Sequence, residues 1–267
     1  MGELSGITIG VTAERRAEDF IAALERHGAE VRHAPTITIV PLDTDPELKA
    51  ATLKLVMSPV DITIVTTGAG FRGWLDAAEG WGLRQPLLDH LRDSRIYARG
   101  PKAVGAVRGA GLRETFSAES ESNAELFEAV MAADLLGQRT AVQLHGTALP
   151  ELTAPLVEAG AWLTEVQPYR WTSPPDVTPV YELIDAAVAG KLQAIAFTSA
   201  PAAANFLTLA RTSGRYQQLL RALPGIVVAC VGPVTAAPLE AVGVETVQPE
   251  RQRLGALVKL LVTTLGA

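Results

Sequence analysis

Residues 61–74 read DITIVTTGAGFRGW, and residues 193–206 read QAIAFTSAPAAANF. Each begins with a short apolar run, passes through two hydroxyl residues and continues into small residues that end on a bulky aromatic, Trp74 or Phe206. A short apolar run bounded by turn-formers predicts a strand buried on both faces. The small residues that follow predict a helix starting at the strand end. The two stretches stand 132 positions apart, and the same offset aligns landmarks along the chain without a gap. Thr8 falls on Thr140, Leu24 on Leu156 and Gly28-Ala29 on Gly160-Ala161. Leu87, Leu88 and Leu91 fall on Leu219, Leu220 and Leu223, and Gly111 falls on Gly243. The chain therefore reads as two copies of one α/β unit.

In the first copy GITIGVT, DITIVTT and SRIYAR predict strands. Helices are predicted over AEDFIAALERHG, PELKAATLKLVMS, AGFRGWLDAAEGW, QPLLDHLR, PKAVGAVRGAG and NAELFEAVMAAD. The second copy repeats the order, with strands over RTAVQLHG, LQAIAFTS and IVVACVG. Such alternation predicts parallel sheets covered by helices on both faces. Sheets of this kind bind ligands beyond the carboxyl ends of their strands, so the strand-closing residues are the candidates for function.

Gly68, Gly70 and Gly73 spell G-x-G-x-x-G between a strand and a helix, the pattern that lets a dinucleotide's pyrophosphate reach backbone amides. That reading also needs an acidic residue about twenty positions on to hold a ribose. The next strand ends at Arg99 instead, and Asp89 and Asp93 belong to the helix before it. In the second copy the equivalent positions, Ala200 to Asn205, contain no glycine. Both copies keep the hydroxyl pair, Thr66-Thr67 and Thr198-Ser199, so these and the adjoining Gly68 and Ala200 are candidate binding residues. The glycines read as local licence for a tight turn. Arg99 could still suit a ribose 2′-phosphate, which leaves an NADP enzyme as a remote alternative.

A second loop is shared: Gly100-Pro101-Lys102 matches Gly232-Pro233-Val234, with Thr235 next. A strand ends in Gly, and Pro opens the helix where its missing N–H costs nothing. The remaining free N–H groups and the positive end of the helix form a ready site for an anion such as a carboxylate. One such loop alone could be a plain strand-to-helix turn. Four strand-end loops in two matched pairs favour a ligand site. The copies differ at one position, where Thr235 corresponds to Ala103, so the loop at Gly100 would rely on its amides with Lys102 or Arg99 beside them.

Composition narrows the function classes. A chain of 267 residues can bury one large core or two modest ones. Its net charge of −6 argues against a general affinity for nucleic acid. The opening MGELSGITIG lacks a basic segment followed by a long apolar one, so no signal peptide is expected. No apolar run reaches the roughly eighteen residues that span a bilayer, and a cytoplasmic protein with no membrane partner is expected. Cys230, the single cysteine, lies in the apolar run IVVACVG and reads as a buried strand thiol rather than a nucleophile. The four histidines are scattered without metal-ligand spacing, so no metal is expected. His27 beside its Gly stop reads as a solvated residue, whereas His145 closes a strand and could line a site.

Four features together resemble the uroporphyrinogen-III synthase family over essentially the whole chain. They are FTS closing a strand ahead of Phe206, the run ACVGPVTAAPLEAVGV, the Tyr-Arg pair in EVQPYRW, and the opening ITIGVT with Pro41 after TITIV. The resemblance implies two α/β domains joined by two extended linkers near residues 36–41 and 167–172. One domain would comprise residues 1–38 and 172–267, the other residues 39–171. It further implies a small-molecule substrate, the linear tetrapyrrole hydroxymethylbilane. This would be closed to uroporphyrinogen III in a cleft between the domains, with inversion of the last ring and loss of water. In the implied mechanism the hydroxyl leaves, a spiro intermediate forms, and fragmentation and reclosure follow. No cofactor or metal is implied, and the protein's task is mainly to hold a reactive chain in the productive geometry. By position Tyr169 is the implied catalytic residue, helping the hydroxyl to leave. Thr66, Thr67, Thr198, Ser199 and Thr235 are implied substrate contacts, with substrate carboxylates near the amides after Gly232 and Pro233. A monomer is expected, and the thin linkers are expected to permit hinge motion. TTGAGFRGW is also similar to actinobacterial relatives in which this domain precedes a DNA-binding winged helix. The alternative is therefore a non-catalytic, ligand-sensing domain that binds no nucleic acid itself.

Overall fold

The first strand, β1 (Thr8–Val11), leads through helix α1 (Ala17–Arg26) to β2 (Glu30–His33) and β3 (Thr38–Pro41). Then come α2 (Pro46–Val56), β4 (Ile62–Val65), α3 (Gly68–Gly80), α4 (Arg84–Arg92), β5 (Arg95–Ala98), α5 (Pro101–Gly109) and β6 (Phe116–Ser117). These are followed by α6 (Asn123–Met131), β7 (Arg139–Gln143), α7 (Pro150–Glu158), β8 (Trp162–Val166) and β9 (Tyr169–Thr172). The last part holds α8 (Thr178–Val188), β10 (Ala194–Phe197), α9 (Ala200–Thr212), α10 (Tyr216–Ala222), β11 (Val227–Cys230), α11 (Pro233–Glu240) and α12 (Leu254–Leu265). The structure, a computed structural model, describes residues 2–266.

The chain divides into two units, one formed by the stretch up to Thr38 with that from Thr172 onward, the other by Ile39–Trp171. The first contains a parallel sheet in the order β11-β10-β1-β2, the second a parallel sheet in the order β6-β5-β4-β7-β8. The fold is therefore α/β, with parallel sheets. The divisions fall inside β3 and β9, which pair with each other in a two-stranded sheet. These are the segments read from sequence as extended linkers.

Side-chain alternation builds the layers. Ile62 and Ile64 of β4 pack with Leu126, Phe127 and Leu156 on one face of their sheet. Val65, with Ile96 and Ala98 of β5, packs on the other face with Phe71, Trp74, Leu87 and Leu91. In the first unit, Ile195 and Phe197 face Phe206 and Leu219, while Ile9 and Val11 face Phe20, Leu24, Leu257 and Leu261. Full burial of each such side chain contributes about 1.5–3 kcal/mol. Among the described residues each apolar cluster draws on one unit only.

Three strands carry no clear sequence signal. β2 and β8 are sheet edges whose exposed positions, Glu30, Arg32 and His33 in β2 and Trp162 and Glu165 in β8, break the apolar runs that mark the inner strands. β6 is two residues long, too short for alternation to show. No helix among the described residues is long and apolar enough to cross a membrane.

Candidate functional site

Parallel register brings the strand ends of each sheet level. In the second unit Val65 lies opposite both Ala98 and Gln143. Thr66-Thr67, Arg99-Gly100 and Leu144-His145 therefore leave the sheet side by side. Strand order reverses between β4 and β7, where a doubly wound sheet opens its crevice. Beyond that edge Gly146 forms a parallel bridge with Arg170, which brings Tyr169 and Trp171 to the same side.

The hydroxyl pair at β4 is already committed. Thr66 is fully buried, and its Oγ1 donates to the Gln143 carbonyl oxygen at 2.7 Å, tying β4 to β7. Thr67 caps α3: its Oγ1 accepts from the Gly70 N–H at 3.1 Å, and its own N–H donates to Gln143 Oε1 at 3.1 Å. Gln143 is fully buried and also donates to the Leu144 carbonyl. No sequence pattern singled it out.

The glycine motif serves packing rather than a tight turn. Gly68 and Gly70 lie in the first turn of α3. A methyl group on Gly68 would overlap the Lys102 carbonyl oxygen, and one on Gly70 would overlap the Gln143 amide. Around Gly73 the space is empty. The room a pyrophosphate would need at Gly70 is filled by Gln143, so the motif opens no nucleotide cradle. In the neighbouring loop Gly100 precedes Pro101, the first residue of α5, and Lys102 is exposed. The Glu121 side chain lies against Gly100, its Cγ 2.9 Å from where a methyl would stand.

In the first unit Phe197 lies opposite Cys230, so Thr198-Ser199-Ala200 and Gly232-Pro233-Val234-Thr235 emerge from adjacent strands. Ser199 caps α9, its Oγ accepting from the Ala202 N–H at 3.4 Å. Thr198 is half-buried, and its hydroxyl has no hydrogen-bond partner among the described residues. Thr235 is 5% exposed; its N–H donates to the Gly232 carbonyl at 3.0 Å, while its hydroxyl bonds to nothing among the described residues and does not cap α11. Val234 is exposed beside it. Of the hydroxyls paired by the sequence, Thr66, Thr67 and Ser199 are engaged within the fold; Thr198, and the unpaired Thr235, remain open to a ligand.

The electrostatics centre on Arg99. Burial lowers its guanidinium pKa from the ordinary value, opposed by Tyr169 and then by Glu121. Burial, and secondarily the Arg99 charge, push His145 down to about 4, so its imidazole is neutral near pH 7. Burial raises the Cys230 thiol to about 12, with Glu240 adding to the shift, which makes it an inert strand residue. His27 sits on the surface 3.0 Å from the Glu3 carboxylate. No group of three or more His, Cys, Asp or Glu among the described residues could hold a metal ion. Surface cavities of about 310 Å³ beside Arg32 and Glu182, and of about 190 Å³ beside Arg72 and Gly105, contain none of the candidate site residues.

Residues 18–259 match the family described as Uroporphyrinogen-III synthase HemD. A uroporphyrinogen III synthase from the extremely thermophilic bacterium Thermus thermophilus is similar in a mutant crystal form, with a TM-score of 0.78 at 26% identity over 97% of this chain and 99% of that one. Its wild-type form gives a TM-score of 0.65 at 28% identity over 97% and 98%. The uncharacterized protein YjjA of Bacillus subtilis (strain 168) is 27% identical over 96% of this chain and 94% of its own length.

Proposed function

Because the chain belongs to the uroporphyrinogen-III synthase family, we propose that it closes hydroxymethylbilane to uroporphyrinogen III, inverting the last ring and releasing water. The observation that carries this reading is the pair of uncommitted hydroxyls, Thr198 after β10 and Thr235 in the first turn of α11 after the neighbouring β11, with the Val234 N–H beside them bonded to no described residue. A site that must hold an acidic, reactive chain in one geometry needs hydrogen-bond donors of this kind more than it needs a strong base. Thr235 donates to a substrate carboxylate through its hydroxyl, together with the Val234 N–H that follows Pro233. Tyr169, half-buried beside Arg99, hydrogen-bonds the departing hydroxyl. The engaged hydroxyls of Thr67 and Ser199 hold the loops in shape, and Gly68, Gly100, Pro101, Lys102 and Ala200 line them.

The test is to supply freshly made hydroxymethylbilane to the purified protein and identify the isomer formed. Isomer III should predominate without added metal or nucleotide. Isomer I alone, at the rate of the protein-free control, would remove the synthase reading and leave a ligand-sensing domain.

A further inference from the structure

Five side chains from four separate segments converge at the carboxyl edge of the second unit's sheet. Arg99 follows β5, Glu121 precedes α6, His145 follows β7, and Tyr169 and Trp171 lie in β9. The Arg99 guanidinium is mostly buried, yet it makes no hydrogen bond or ion pair with any described residue. Tyr169 and Glu121 act on it through the field, and neither is hydrogen-bonded or ion-paired to it. His145 feels the Arg99 charge, and its Nδ1 is buried without a hydrogen-bond partner, as is Nε1 of Trp171, which packs on Gly146, the residue after His145. The Trp171 indole lies directly on Gly146, whose φ of +78° and lack of a side chain admit it, with Nε1 2.5 Å from where a methyl would stand. A mostly buried cation and two buried polar nitrogens left unsatisfied at the carboxyl edge of one sheet are costly unless something else satisfies them.

We propose that Arg99, His145 and Trp171 form a carboxylate-binding pocket that receives one acidic side chain of the tetrapyrrole and so helps to set its orientation. This rests on the synthase reading. A carboxylate there would accept from the guanidinium, from the indole N–H and from the imidazole N–H of the Nδ1 tautomer. Tyr169 stands beside the same cation, so a substrate anchored on Arg99 is held at a fixed distance from the phenol.

The test uses the full chain with tryptophan side chains labelled with ¹⁵N, the Trp171 resonance being assigned from W171F. Uroporphyrin III, the stable oxidised form of the proposed product, is the probe. On saturation the Trp171 indole N–H should move downfield as it gains an acceptor, while that of exposed Trp162 stays in place. R99M should weaken binding about ten- to a hundredfold, the loss of one charge-assisted hydrogen bond, and R99K should recover part of it. The melting temperature of R99M should hold or rise, because an unpaired buried charge is being removed. Unchanged affinity in R99M, or a Trp171 signal indifferent to the bound probe, would overturn the pocket. A lowered melting temperature with unchanged affinity would likewise make Arg99 a structural residue. Should R99M fail to fold, the Trp171 shift and the affinity of W171F decide the matter. Wild-type protein that makes isomer III without moving Trp171 would sink this inference alone; wild-type protein that neither binds nor converts would sink both.

Discussion

Thr235 and Ala103 occupy the same turn of α11 and α5, yet only Thr235 brings a hydroxyl, and that hydroxyl has no partner among the described residues. A hydrogen bond to a charged group contributes roughly 1.5–3 kcal/mol. Thr235→Ala should therefore lower kcat/KM for hydroxymethylbilane by about ten- to a hundredfold with little change in melting temperature. Full activity in this variant would remove Thr235 from the site. Thr66 illustrates the opposite case, since the sequence pairs it with Thr198 but its hydroxyl is spent on the Gln143 carbonyl. His145 carries a pH signature. Its folded pKa of about 4 lies below the ordinary 6.5, so the unfolded chain takes up a proton first as pH falls. Stability is whole above about pH 6.5, declines towards pH 4 and levels off below, a loss of roughly 3 kcal/mol. His145→Gln cannot gain that charge, so its urea midpoint should fall less than that of the wild type between pH 7 and pH 4.5. Equal slopes would show that the imidazole is not shielded.

Helix α3 opens with the glycine motif, and its three glycines have different jobs. Gly68 and Gly70 permit close approach, the first to the Lys102 carbonyl of α5 and the second to Gln143, whereas Gly73 faces open space. A methyl at Gly68 cannot be accommodated by rotating a side chain, because the obstacle is backbone. Gly68→Ala should destabilise by about 3 kcal/mol as α3 is forced off α5. Gly73→Ala should stabilise by about 0.5–1 kcal/mol, because alanine costs less entropy in a helix interior. Urea denaturation of both variants checks the pair, and a destabilised Gly73→Ala would contradict the packing described for α3. The motif was legible as a strand-to-helix junction. Its purpose was not, because G-x-G-x-x-G records only where side chains are absent.

At the scale of the whole molecule, each unit owns its apolar clusters. Ile39–Trp171 is continuous in sequence and of ordinary domain size, so expressed alone it should unfold in one cooperative transition. A broad, non-cooperative melt would mean that it depends on the rest of the chain. The other unit needs segments from both ends of the sequence. By itself the sequence determined the alternation of strands and helices, the parallel class and the loops at the strand ends, because apolar periodicity and Gly-Pro junctions are properties of short windows. β4 and β10 start 132 positions apart, as do α2 and α8. Only the tertiary structure decided which hydroxyls are free and that His145 Nδ1 and Trp171 Nε1 are buried without a partner. Whether a polar group is satisfied depends on which strand lies beside it, and β4 finds its partner β7 some 78 residues further on. No local pattern carries that pairing; the strand order of the sheet does.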